Sequence, residues 1–70
     1  MPDPQTIGER LRTIRRERHL TQEQLGVASG HAAATIGKIE CARSRPYLGT
    51  VADLADALAI DLELLLAEVT

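Results

Sequence analysis

Apolar residues recur at helical spacing in several short segments of this chain, with polar residues or glycines between the segments. The first segment places three aliphatic side chains on one helical face: Ile7, Leu11 and Ile14. This spacing predicts a helix over about residues 6–18. Thr6 and Glu9 have the spacing of a capping box, so Thr6 is the expected N-cap.

The next two segments form a pair of short helices. Thr21 is a good N-cap, and Gln24 three residues later completes a capping box, which predicts a second helix over about residues 22–29. A Ser-Gly pair stops this helix, and apolar spacing resumes in a third helix over about residues 32–41. Two short helices joined by a glycine-bearing turn are typical of a helix-turn-helix, here over about residues 21–41.

Two more helices are predicted beyond a loop at residues 42–47, where Pro46 disfavours helix before it. Helix four has one apolar face: Leu48, Val51, Leu54, Ala55 and Leu58. Asp61 is the expected N-cap of a short fifth helix, whose inward side chains are Leu62, Leu65 and Leu66. The prediction is an all-α, compact five-helix fold in which residues 1–70 form one domain.

Composition agrees with a small helical protein. Of the 70 residues, 44% are hydrophobic but only Tyr47 is aromatic, which suits an aliphatic core between helices. No apolar stretch approaches the ~20 residues that span a bilayer, and the acidic, proline-rich start is unlike a secretory signal. The lone Cys41 cannot form an internal disulfide. We therefore expect a cytoplasmic, soluble protein.

Charge is distributed unevenly along the chain, although the net charge is −2. Residues 1–45 contain all eight basic residues and five acidic ones, a net charge of +3. The remainder contains five acidic residues and no basic one. Because charges beyond the Debye length of ~8–10 Å are screened, the basic half can still bind phosphates. For the arginines of the first helix, the alternative is a merely solvated helix face.

In their order and spacing, these motifs resemble the phage Cro and repressor type of helix-turn-helix, also called the xenobiotic-response-element family. The resemblance extends from Ile7 to Leu66, and its landmarks are Ile7-Gly8-Glu9-Arg10-Leu11-Arg12, Leu20-Thr21-Gln22-Glu23-Gln24-Leu25, Gly30, Ile36, Ile39-Glu40, Pro46, Leu48 and Leu54-Ala55-Asp56-Ala57-Leu58. It implies a five-helix fold with helix three as the recognition helix, in the major groove of double-stranded DNA.

The resemblance also implies roles for individual residues. The implied base contacts are Ala33, Ala34 and Lys38. Thr35 is a further candidate, and the alternative role for its side chain is capping or packing. The implied phosphate contacts are Gln22, at the start of helix two, and Arg43 and Arg45, in the loop after helix three. Arg15 and Glu40 match an internal salt bridge between helices one and three.

Helix three departs from the family pattern at its start. Relatives usually carry Ser, Arg, Gln or Asn there, whereas this chain has three alanines at residues 32–34. Alanine offers no hydrogen bond to a base and can contact only a thymine methyl group. Sequence specificity is therefore either low or dependent on groove shape.

Two glycines are expected at close approaches. Gly26 fits a tight crossing of helices two and three, because a side chain at the contact would hold the helices apart. Gly37 costs ~1 kcal/mol of helix stability and lets the backbone of helix three approach closely.

Three other positions differ from the family or offer alternative chemistry. His31 replaces an aliphatic residue; we expect a half-buried histidine packed on helix two, or alternatively a phosphate or base contact. Ala42 replaces a glycine, and a left-handed backbone there would store ~1–2 kcal/mol of strain. Cys41 is either an inert small residue or a redox switch. No metal-ligand spacing joins it to His19 and His31, so no metal is predicted.

The last departure is Leu64, where relatives tend to carry an acid. Leucines on all sides of a short helix leave some apolar surface uncovered, so Leu64 and Val69 are predicted dimer contacts. The alternative is a C-terminal helix that only closes the core.

No enzyme constellation or cofactor motif is present in the sequence, so the chain is not expected to be an enzyme or to bind a cofactor. The function that fits best is sequence-specific DNA binding by a bacterial or phage-type transcriptional regulator, acting as a homodimer on a two-fold site. The alternative is a protein-interaction or antitoxin-like module that keeps the fold but has weak or no base readout. The three alanines keep this alternative open, whereas the confinement of the basic residues to one half of the chain argues against it.

Overall fold

A computed structural model describes residues 4–66, with side chains from residue 7 onward. This part of the chain folds into five α-helices and contains no strand, which confirms the predicted all-α fold. The helices are α1 (Pro4–Glu17), α2 (Gln22–Ser29), α3 (Ala33–Glu40), α4 (Leu48–Leu58) and α5 (Leu62–Leu66). None of these helices is long and apolar enough to cross a membrane.

Side-chain capping is seen at α2, whereas α3 and α4 follow Ala32 and Tyr47 without a side-chain cap. The predicted capping box of α2 is confirmed: the Gln24 N–H donates to Thr21 Oγ1 at 3.0 Å, and the Thr21 N–H donates to Gln24 Oε1 at 2.9 Å. The predicted N-cap of α1 is wrong, because α1 begins at Pro4 and Thr6 lies inside the helix. Proline suits a first helical turn, since its φ is preset and its missing N–H has no partner there anyway.

The turn between α2 and α3 is tight. Gly30 caps α2 in the left-handed conformation, with φ of 78°, and its N–H donates to the Gly26 carbonyl. Ala32 has extended backbone and is the N-cap of α3, and Cys41 is its C-cap. Each therefore lies one residue outside α3 rather than inside it as predicted. The glycine-bearing turn of a helix-turn-helix is confirmed.

The core is aliphatic and lies where α1 packs against α3 and α5, α2 against α3 and α4, and α4 against α5. Its buried members are Ile7, Leu11, Leu25, Ile36, Ile39, Val51, Leu54, Ala55, Leu58 and Leu65. Leu62 and Leu66 pack half-buried against this core, as predicted. Leu48 was expected on the inward face but is 55% exposed, since it is the first residue of α4 and the buried face of that helix begins one turn later.

Two glycines allow backbones to approach closely. A Cβ at Gly26 would meet the His31 carbonyl oxygen and lie 3.4 Å from the Ala33 nitrogen, which confirms the expected close crossing of α2 with the start of α3. A Cβ at Gly8 would collide with the carbonyl oxygen of Ile39 and lie 3.0 Å from that of Glu40. Gly8 therefore sets how closely α1 approaches the end of α3.

The loop after α3 is held in a conformation that alanine rarely adopts: Ala42 has φ of 59°. We expect Ala42→Gly to raise the free energy of unfolding by about 0.5–1 kcal/mol, because glycine relieves the strain but adds entropy to the unfolded chain. Chemical denaturation measures the change. The control is Ala52→Gly inside α4, which should lower stability by roughly 0.5–1 kcal/mol. Destabilisation by both variants would contradict a strained Ala42.

Candidate nucleic-acid interface

The predicted base-reading residues of α3 differ in their exposure. Ala34 and Lys38 are exposed, whereas Ala33 and Thr35 are half-buried. Thr35 belongs to the first turn of α3, and its N–H donates to the Ala32 carbonyl at 3.0 Å. Because Glu40 is buried, Lys38 is the one charged side chain on the exposed face of α3.

The loop that follows α3 presents two more cations. Arg43 and Arg45 are both exposed, on either side of a half-buried Ser44. The Arg43 N–H donates to the Lys38 carbonyl at 2.9 Å, which fixes the start of the loop to the last turn of α3. The structure thus brings these arginines beside the end of α3, as a site for phosphates next to a base-reading helix requires.

Four side chains from three elements meet beside α3, and we call them the Glu40 cluster: Arg12, Arg15, Gln22 and Glu40. Arg15 binds Glu40 through two hydrogen bonds, from Nε to Oε2 at 2.6 Å and from Nη2 to Oε1 at 2.9 Å. Its Nη1 donates to the Leu20 carbonyl at 2.7 Å. The side chains of Arg15 and Glu40 are 10% and 1% exposed. This pair therefore joins α1 to α3 and to the loop before α2, the internal bridge that the family resemblance implies.

The titration of the cluster follows from these contacts. Burial raises the pKa of Glu40, but the hydrogen bonds from Arg15 and Gln22 and the charges of Arg15 and Arg12 together outweigh it, so the pKa lies below its usual value. The hydrogen bond to Glu40 raises the pKa of Arg15 further above neutrality, although burial opposes it. Both groups are therefore charged at neutral pH.

Gln22, a predicted phosphate contact, is also tied to this cluster. Its Nε2 donates to Glu40 Oε1 at 3.2 Å, and a Cβ at Gly37 would lie 3.4 Å from its Oε1. The group that approaches the glycine of α3 is thus the Gln22 side chain. Within residues 4–66, the backbone N–H groups of Gln22 and Glu23 have no partner, so the N-terminus of α2 keeps two free donors.

His31 is half-buried, as the first sequence alternative expects, but its ring pairs with a residue of α4. Its Nε2 is 2.9 Å from Oδ2 of Asp53 on α4, and its side chain is 24% exposed. The imidazole therefore faces an acidic side chain rather than a site for phosphate, and it links the turn of the helix-turn-helix to α4. Sequence reasoning missed Asp53, because an exposed acid in an acidic segment has no distinguishing local signal.

Cys41 is exposed, and its thiol lies 3.7 Å from the Lys38 carbonyl. Among the residues that the structure describes, no three His, Cys, Asp or Glu side chains come together to hold a metal ion.

Leu64, the predicted dimer contact, is 54% exposed. It lines an open groove between α1 and α5 together with Glu9, Arg10, Thr13 and Ile14. Val69 lies outside the described residues. An apolar side chain is therefore exposed on α5, as the sequence predicts, while its role in pairing stays a prediction.

Comparison with known proteins agrees with this geometry. The chain is 37% identical over 65 residues to the immunity repressor protein of Bacillus phage phi105, covering 93% of this chain and 45% of that protein. It is 45% identical over 60 residues to the HTH-type transcriptional repressor RghR of Bacillus subtilis strain 168, covering 84% of this chain and 44% of that protein. The chain thus spans less than half the length of these two relatives.

A solved structure gives the same result for the fold. The crystal structure of the restriction-modification controller protein C.AhdI from Aeromonas hydrophila superposes with a TM-score of 0.88 at 33% identity, covering 90% of this chain and 96% of that one. These relatives are named as repressors and a controller protein, which agrees with the predicted non-enzymatic class. The helix-turn-helix domain family matches residues 6–67, and the chain belongs to that family.

Proposed function

We propose that this domain binds double-stranded DNA as the DNA-binding part of a transcriptional regulator, with α3 in the major groove. The observation that carries the proposal is the position of α3: its exposed face is followed directly by the exposed Arg43 and Arg45 and is flanked by the free N–H groups of α2. Such an arrangement offers a helix to base edges and donors to the phosphates on either side. The relatives named as an immunity repressor and a transcriptional repressor support the same function.

Base readout in this proposal rests on few side chains. Lys38 is the donor for a guanine edge, while Ala33 and Ala34 contact thymine methyl groups. Thr35, which is half-buried like Ala33, is a further candidate. A face so short of donors favours sites in which groove shape contributes to recognition.

Phosphate binding is assigned to Arg43, Arg45 and the N-terminus of α2 with Gln22. The two free backbone donors and the positive end of the α2 dipole favour an anion there. His31 is left out of this set, because its ring faces the Asp53 carboxylate.

Salt dependence tests this proposal. We expect the DNA affinity of the domain to fall steeply with salt, with a log–log slope of ~−0.9 for each phosphate neutralised. Arg43→Ala or Arg45→Ala should weaken binding to two unrelated duplexes about equally and make the slope shallower by about 1. Fluorescence anisotropy titrations at several salt concentrations give both quantities. DNA binding that is absent at low salt, or independent of salt, contradicts the function.

We also propose that two copies bind a two-fold operator and pair through Leu64. One small domain makes few base contacts. When two domains pair, the half-sites that they bind lie about one helical turn, ~34 Å, apart. The exposure of Leu64 supports the assignment.

Leu64→Glu is expected to abolish the dimer and leave the fold intact, because it places a charge on the pairing surface. Sedimentation of wild type and variant at high micromolar concentration measures the mass. Leu48→Glu is a matched control, since Leu48 is equally exposed but lies on α4. A monomeric wild type, or dimers in all three proteins, would exclude pairing through Leu64.

The second candidate is a protein-interaction or antitoxin-like module. The observation that favours it is the small-residue face of α3, which offers bases little to bind. Failure to bind any duplex at low salt, with the fold intact, would favour this function over the first.

A further inference from the structure

Arg12 is a cation of the Glu40 cluster that the internal bridge does not use. Arg15 already provides two hydrogen bonds to the Glu40 carboxylate, and Gln22 provides a third. Arg12 Nε stays 3.9 Å from Glu40 Oε1, too far for a hydrogen bond, and its side chain is 50% exposed. Its terminal guanidinium nitrogens have no hydrogen-bond partner within the described part of the chain.

The cluster therefore carries surplus positive charge at the surface. Two guanidinium groups face a single carboxylate, which Arg15 neutralises by itself in a buried pair. The charge of Arg12 is left over on the exposed side. Arginine in this state matches phosphate geometry well, because its planar fork can donate two parallel hydrogen bonds.

The position of Arg12 points to one source of phosphate. Arg12 and Gln22 both approach the same oxygen, Glu40 Oε1, so Arg12 lies next to the N-terminus of α2. That terminus is where the proposed function places a DNA phosphate. The Glu40 carboxylate thus lies next to both the Arg12 and the Gln22 side chains, but it does not neutralise the charge of Arg12, because Arg15 already pairs with it.

We propose that Arg12 is a further DNA-binding residue, and that its guanidinium group contacts a backbone phosphate together with Gln22 at the N-terminus of α2. This inference rests on the proposed function and extends the DNA contacts to α1. Glu40 is a positioning residue here, since it would not contact DNA itself. The contact carries no base specificity, because phosphates are the same in every sequence.

Salt titrations of Arg12→Ala test the inference. Loss of one phosphate contact makes the slope of log affinity against log salt concentration shallower by ~0.9. The ratio of wild-type to variant affinity should therefore be about 3.5-fold smaller at 200 mM salt than at 50 mM salt. Arg12→Lys keeps the charge and should retain the wild-type slope. Arg18→Ala removes an exposed arginine outside the cluster and should leave the slope unchanged.

Thermal unfolding of the same variants separates a contact with DNA from a structural role. A half-exposed ion pair at 3.9 Å contributes little stability, so Arg12→Ala should unfold close to the wild-type temperature. A wild-type slope for Arg12→Ala, or an equal change for Arg18→Ala, overturns the inference while DNA binding by the domain stands. Absence of salt-dependent binding by the wild type overturns the proposed function and this inference together.

Discussion

Arg15→Ala is expected to lower the free energy of unfolding by about 3–5 kcal/mol, because it leaves the Glu40 carboxylate buried without its main partner. The loss is large for this chain, since a domain of 70 residues typically has only about 4–10 kcal/mol of stability. The variant should therefore lose a third or more of its stability, and it is partly unfolded at room temperature if the wild type lies at the low end of this range. Circular dichroism during urea denaturation measures the change.

Two matched variants show whether the buried pair is the cause. Arg16→Ala removes an exposed arginine one residue further along α1 and should change stability by less than about 0.5 kcal/mol. The double variant Arg15→Met with Glu40→Leu replaces both charges by apolar side chains and should be far more stable than Arg15→Ala alone. Equal loss in Arg15→Ala and Arg16→Ala would contradict the assignment of the bridge.

The same pair makes stability depend on pH. Folding lowers the pKa of Glu40, so the ionised carboxylate contributes to the free energy of unfolding. This contribution is fully present above the unfolded-state pKa of ~4.3 and is lost as the pH falls through the lower folded-state pKa. In Glu40→Gln this contribution is missing at every pH. The difference in unfolding free energy between wild type and Glu40→Gln should therefore narrow as the pH falls below about 4.

Gly8→Ala is expected to cost about 1–3 kcal/mol, the usual range for overpacking, because its methyl group collides with backbone atoms that cannot rotate away. The α1–α3 contact must open to admit the methyl group, which also strains the Arg15–Glu40 bridge between the same helices. Gly49→Ala is the control: a Cβ there meets nothing within 4 Å, and alanine favours helix. Urea denaturation of both variants should show loss for Gly8→Ala and a small gain for Gly49→Ala. The reverse order would exclude a tight α1–α3 crossing at Gly8.

Much of the fold follows from local sequence signals. The Thr21–Gln24 capping box, the helix stop at Gly30 and the apolar spacing of α4 each act over a few residues, so the sequence predicts them directly. The start of α1 was misplaced because a capping box at Thr6 and a proline at the first helical position are competing signals.

The contacts that sequence reasoning missed lie far apart along the chain. Gln22 with Glu40, and His31 with Asp53, are separated by 18 and 22 residues and depend on how the helices pack. Gly8 did carry a signal, since a glycine inside a helix often marks a close approach. It also shares a helical face with Arg15, seven residues later, on the side of α1 that meets α3.

Selection of bound duplexes from a random pool, with wild type and Ala34→Gln in parallel, tests the central claim most directly. If α3 lies in the major groove, the wild type enriches a palindrome with half-sites about one helical turn apart. Ala34→Gln, which adds an amide able to bind adenine, changes the preferred base at one position of each half-site. No enrichment by the wild type, or the same motif from both proteins, would contradict base reading by α3.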